Sequence, residues 1–191
     1  MTDKITSIIQ ASIDVKRNIL TDEAMIKNIQ DIANKVVECF KSGSRVYFCG
    51  NGGSAADAQH LAAEFTGRFY HDREPLPAEA LHCNTSFLTA VANDYSYDQI
   101  YERMIKAQGR KGDVLFGIST SGNSTNIILA QIEAQKRGMT VVSMTGETGG
   151  KMKDCCDYLL NMPSKDTPRI QEAHILVGHI ICQLVEEKMM A

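Results

Sequence analysis

Twice in this chain a short apolar run breaks into a loop of small polar residues and restarts as a helix. Arg45–Cys49 (RVYFC) leads into Gly50-Asn51-Gly52-Gly53-Ser54 and an Ala-rich helical stretch from Ser54 to about Phe69. Asp113–Ser119 (DVLFGIS) leads into Thr120-Ser121-Gly122-Asn123-Ser124 and a helix from about Thr125 to Lys136. A third run, Thr140–Met144, ends in Thr-Gly-Glu-Thr-Gly-Gly. Strands apolar on both faces and alternating with helices are the pattern of a parallel sheet covered on both sides.

The remaining segments fit that frame. Residues 4–19 and 22–41 read as two helices, the second carrying Ile26, Ile29, Ile32, Ala33, Val36, Val37 and Phe40 at helical spacing, with Gly43 as its stop. Ala78–Leu81 and Asp157–Met162 read as strands, and Thr85–Ala92 and Asp98–Ala107 as helices. A long last helix runs from Pro168 or Arg169 to about Lys188, with the proline suited to its first turn. The expected architecture is α/β: a three-layer α/β/α sandwich with a central parallel sheet and an N-terminal helical pair (1–42). All 191 residues form one domain.

Composition narrows the function classes. Lys+Arg 20 against Asp+Glu 23 leaves a net charge of −3 with no basic stripe, which argues against a nucleic-acid partner. The most apolar stretch, Ile175–Val185, is interrupted by Gly178, His179 and Gln183 and cannot span a bilayer, so no membrane partner is expected. The start, MTDKITSIIQASID, lacks the order of a signal peptide, which points to the cytoplasm. Six cysteines without framework spacing read as buried, reduced thiols.

In open parallel sheets, ligands bind beyond the carboxyl ends of the strands. Both polar loops fall there, and each opens a helix. Glycines let the backbone turn its N–H groups outward, hydroxyls add donors, and a helix N-terminus contributes roughly half a positive charge. One such loop is plainly a turn with an N-cap. Two at equivalent places point to a cradle for a phosphate ester that needs no Lys or Arg. Neither G-x-x-x-x-G-K-[ST] nor G-x-G-x-x-G is present, so no nucleotide cofactor is expected.

The helix after the first loop carries His60 and Glu64, about 40° apart around the axis and one turn separated. Such a pair can serve as a base with a partner, or as half of a metal site. A solvated helical pair is the plainer reading of that spacing alone. On the terminal helix, His174 and His179 lie about 140° apart, Gln171 and His179 about 80°, and Glu172 and His179 only about 20°. On angle alone, Glu172 is the better companion for His179. A histidine in so apolar a helix is otherwise a core residue.

The strings CGNGGSAADAQHLAAEFTGRF, VANDY, GISTSGNS and RIQEAHILVGH carry a resemblance over nearly the whole length. The chain resembles the bacterial phosphoheptose isomerases of the sugar-isomerase (SIS) domain family, whose sheet is flavodoxin-like. The loops mark only the broad family. His60 with Glu64, Asn93-Asp94, and Gln171 with His179 mark the isomerase.

The resemblance implies conversion of D-sedoheptulose 7-phosphate to D-glycero-D-manno-heptose 7-phosphate. This is the first step toward an activated heptose for lipopolysaccharide or other surface polysaccharide. It implies a homotetramer with active sites at subunit contacts. Ser119, Thr120, Ser121 and Ser124 would hold the phosphate; Asn51, Gly52, Gly53, Asn93 and Asp94 would line the sugar site, with Ser54 and Gln171 also against the substrate. Glu64 and His179 would be the proton-transfer pair. Some relatives place zinc among residues matching His60, Glu64, Gln171 and His179. An amide is a weak zinc ligand and a zinc-bound carboxylate a poorer base, so the metal and base roles of Glu64 pull against each other. Two alternatives stay open: a non-catalytic adaptor of the family that binds the replication initiator, and an isomerase of another sugar phosphate.

Overall fold

The computed structural model describes residues 2–191, and the order of elements is that of a doubly wound sheet. Helices α1 (Thr2–Thr21) and α2 (Glu23–Lys41) precede β1 (Val46–Gly50), α3 (Gly53–Thr66) and β2 (Ala78–Ala80). Helices α4 (Thr85–Asp94) and α5 (Ile100–Gln108) follow, then β3 (Val114–Ser119), α6 (Thr125–Lys136), β4 (Thr140–Thr145), β5 (Tyr158–Asn161) and α7 (Thr167–Met190). The five strands are all parallel, in the order β2-β1-β3-β4-β5. That is the flavodoxin-like order, whose topological switch point lies between β1 and β3. The two polar loops leave those two strands.

Each sheet face buries its own cluster. Val46, Phe48, Val114, Phe116 and Met144 pack with α2, α3 and α7, while Tyr47, Cys49, Leu115 and Val141 pack with α4, α5 and α6. Alternate residues of β1 therefore face opposite helical layers, as the two-residue period of a strand requires. Phe48 stacks on Phe116 at 4.9 Å between centroids, with Phe65 of α3 against it at 6.2 Å. Removing the Phe116 ring from so filled a layer would cost about 3–5 kcal/mol.

Several sequence expectations need correction. Ile26 is exposed, although the rest of its stripe on α2 is buried; the α2 face turned to the sheet is centred on Ile29, Ile32 and Val36. Helix α3 ends at Thr66 rather than Phe69, because residues 69–71 turn their amides toward α7 instead of back along α3. The buried-thiol expectation fits Cys39, Cys49 and Cys182 only, for Cys83 is exposed and Cys155 and Cys156 are half-buried. Glu172 does not accompany His179; its carboxylate takes Ser12 Oγ of α1 at 2.6 Å and Arg169. Among the described residues no helix is long and apolar enough to cross a membrane.

Candidate active site

The phosphate-type loop is built into the sheet end. Ser119, the last residue of β3, is 5% exposed, and its hydroxyl lies 2.9 Å from Ser124 Oγ and 3.4 Å from Ser121 Oγ. Ser124 stands at the N-cap of α6, yet its side chain makes no cap bond. Asp22 and Asn84 do cap their helices, through the Met25 and Phe87 amides, whereas α3, α5 and α7 share with α6 the lack of a side-chain cap bond. At α6 the hydroxyl joins a cluster of three serines instead of capping the helix.

Backbone contact fixes this loop. Gly122 has φ +66°, and a Cβ there would lie 2.3 Å from Gly149 O. Met152 N donates to Gly122 O at 3.0 Å, and Lys151 N to Asn123 Oδ1 at 3.1 Å. The glycine run after β4 thus braces the serine loop.

The first loop turns at Gly52 (φ +55°), and α3 likewise starts without a side-chain cap. Asn51 exchanges both amide bonds with Asn126 of α6 at 2.9 Å and accepts from Tyr97 Oη at 3.1 Å. Tyr101 Oη donates to Gly50 O. Ser54 is buried at the start of α3. Gln171 of α7 packs on this turn so closely that a Cβ on Gly53 would lie 2.4 Å from its Nε2. Asn93 and Asp94, exposed at the end of α4, bond each other at 2.9 Å. Tyr97, Tyr101 and Asn126 escaped the sequence reading, because no local spacing connects them to Asn51 or Gly50.

A second group sits between α3 and α7. His60 Nε2 is 3.0 Å from Glu64 Oε1 and 3.0 Å from His179 Nε2, although His60 and His179 are 119 residues apart in the chain. The three ligating atoms all lie within 4.8 Å of one another. Burial, helped by nearby His60 and opposed by Glu64, holds the His179 imidazole below its ordinary pKa, so it is neutral at pH 7. Phe69 closes one side, its ring 5.6 Å from that of His179. Gln171 packs instead on Gly53 at the start of α3, eight steps and a rise of about 12 Å along α7 from His179.

Asp57, missed by the sequence reading, lies on the His60 face of α3 with Oδ2 buried and unpartnered; burial raises its pKa, opposed by His60. Its spacing of three from His60 was the available signal. His174 is wholly buried instead, its Nε2–H donating to Thr145 O at 3.1 Å. The angular argument correctly separated it from His179.

The family model described as SIS domain matches residues 10–146. The phosphoheptose isomerase of Aneurinibacillus thermoaerophilus is 54% identical over 187 residues, covering 98% of this chain and 94% of the relative. That of Clostridium acetobutylicum is 52% identical, covering 99% and 96%. The solved phosphoheptose isomerase of Neisseria gonorrhoeae superposes with a TM-score of 0.91 at 41% identity, covering 97% of this chain and 98% of that one. Matched by the SIS-domain model over most of its length and by phosphoheptose isomerases at more than half identity, the chain belongs to the phosphoheptose isomerases of the SIS-domain family.

Proposed function

We propose that the protein converts D-sedoheptulose 7-phosphate to D-glycero-D-manno-heptose 7-phosphate, supplying heptose for lipopolysaccharide or other surface polysaccharide. The observation that carries the chemistry is the convergence of Glu64 and His179 from separate helices on one spot. The phosphate rests on Ser119, Thr120, Ser121, Ser124 and the open start of α6. The sugar lies along Asn51, Gly52, Gly53, Ser54, Asn93, Asp94 and Gln171.

Isomerisation moves one hydrogen between neighbouring carbons. Glu64 takes a proton from C1, and the C–H electron pair forms the C1=C2 bond of an enediol. His179, neutral and therefore able both to give and to take a proton, protonates O2 and then removes the O1 proton. Glu64 returns its proton to C2, leaving the aldose and both residues as they began. Each positioned transfer contributes roughly 10²–10⁴-fold.

The donor set also suits zinc. Two imidazoles and a carboxylate with 3.0 Å between neighbouring atoms approach the about 3.3 Å ligand spacing of a tetrahedral ion. His60, Glu64 and His179 would hold it, and Gln171, packed on Gly53, is left to the substrate. Bound there, zinc would act as a Lewis acid on the carbonyl.

A homotetramer is supported by Ile5, Ile8, Ile9 and Ile13, which line an exposed apolar stripe on α1. A charged sugar phosphate does not cross membranes unaided, which favours the cytoplasm. Incubating the protein with a panel of ketose phosphates and reading aldose formation by NMR tests the reading; turnover of the heptulose phosphate above shorter sugars is expected, and no aldose from any of them contradicts it.

A further inference from the structure

Two further contacts bring α7 against α3 and its following loop around the Glu64–His179 group. At the first, Gly178 lets Leu61 approach so closely that a Cβ would lie 2.6 Å from it. The second is a buried ion pair between Glu186, two turns beyond His179 on α7, and Arg73 in the loop after α3.

Glu186 is 1% exposed, and its carboxylate gathers the amides of three consecutive residues. Phe69 N donates at 3.1 Å, Tyr70 N at 2.8 Å and His71 N at 3.1 Å, while Arg73 Nε donates at 3.0 Å. Burial alone would raise its pKa, but the Tyr70, Phe69 and His71 amides and the guanidinium outweigh it and hold the carboxyl below its usual range. The other two nitrogens of Arg73 reach backward: Nη2 donates to Glu64 O and Nη1 to Phe65 O, both at 2.9 Å. These are carbonyls of the last turn of α3, which lack helical partners. Arg73 thus grips the backbone of Glu64 itself, and the same loop sets Phe69 against His179. Seven residues separate His179 from Glu186, about 20° short of two full turns, so both face α3. With four donors around it, the Glu186 carboxylate has nothing to offer a substrate and no proton to move.

We propose that Glu186, acting through Arg73 and residues 69–71, is a positioning residue that sets Glu64 and His179 at working distance from one substrate. The proposal rests on reading those two as the proton-transfer pair. His60 and Glu64 are partly exposed, with side-chain exposures of 50% and 23%, so packing around them does not fix their geometry. The clasp does. Displacement of a reacting group by about 1 Å can cost 10²-fold in rate.

Two variants test it. Arg73→Lys keeps the charge but cannot reach one carboxylate and two carbonyls at once. Glu186→Gln keeps the shape but turns an NH2 toward a site that holds only donors. Steady-state kinetics with sedoheptulose 7-phosphate are read together with imidazole nitrogen NMR of the five histidines. For each variant we expect kcat per folded molecule to fall 10- to 100-fold with KM within about twofold. The His60 and His179 ring signals should shift while those of buried His174 stay in place. Wild-type kcat per folded molecule with unmoved His60 and His179 signals, whatever the loss in thermal stability, overturns the proposal. If Glu186→Gln does not fold, Arg73→Lys decides. If the wild-type protein itself lacks turnover, the functional reading fails, and the histidine signals alone decide whether the clasp governs the two rings.

Discussion

The two halves of the site are made in opposite ways. The serine loop is contiguous in the chain, emerges from a buried central strand, and is braced by backbone contact with Gly149, Gly150 and Met152. The acid–base group is assembled from helices distant in sequence, with partly exposed side chains. A grip on a phosphate needs fixed donors and tolerates no rearrangement. Proton transfer needs groups that exchange hydrogen-bond partners during a cycle. On the proposed reading, binding would be a property of the backbone, whereas catalysis would depend on how two helices are held.

The sharpest way to break that division is Glu64→Gln. Turnover should fall at least about 10³-fold, roughly 4 kcal/mol, while affinity for inorganic phosphate stays within about twofold by calorimetry. Loss of both together would mean that the two halves are one unit.

The second effect concerns His174, which joins α7 to the end of β4. Burial lowers its pKa from 6.5 to about 4, with the bond to Thr145 O opposing. A depressed histidine contributes stability that is complete above pH 6.5 and lost as the pH falls toward 4, here about 3 kcal/mol. Urea unfolding of the wild type at pH 7, 5 and 4 should show this, and His174→Leu should flatten that part of the curve.

Gly122→Ala sharpens the comparison from the phosphate side. The positive φ and the Gly149 carbonyl oppose a Cβ, so the loop must shift; KM should rise about 30-fold, near 2 kcal/mol, with kcat within about threefold. Ser124→Ala is milder. It removes one hydroxyl from a cluster of three and should raise KM about fivefold to tenfold, near 1 kcal/mol, in steady-state kinetics.

The same contrast decides what was legible in the sequence. The strand–loop–helix repeat places Ser119–Ser124 and Asn51–Ser54 at strand ends because those relations are local. The doubly wound fold follows from them. His60 with Glu64 is local too, but the partner across the chain is not: helical angle alone paired His179 with Glu172, which faces α1 instead. Only the resemblance drew Glu64 and His179 together. The Arg73–Glu186 clasp has no motif at all; its one signal was the seven-residue interval from His179.

Proton exchange at C1 of sedoheptulose 7-phosphate, followed by NMR in deuterated water, tests the proposed proton-transfer pair most directly. The wild type should replace a C1 hydrogen by deuterium and yield aldose carrying deuterium at C2, whereas Glu64→Gln, with phosphate still bound, should do neither. Exchange at the wild-type rate in that variant would contradict the assignment of carbon-proton chemistry to the helix-borne pair.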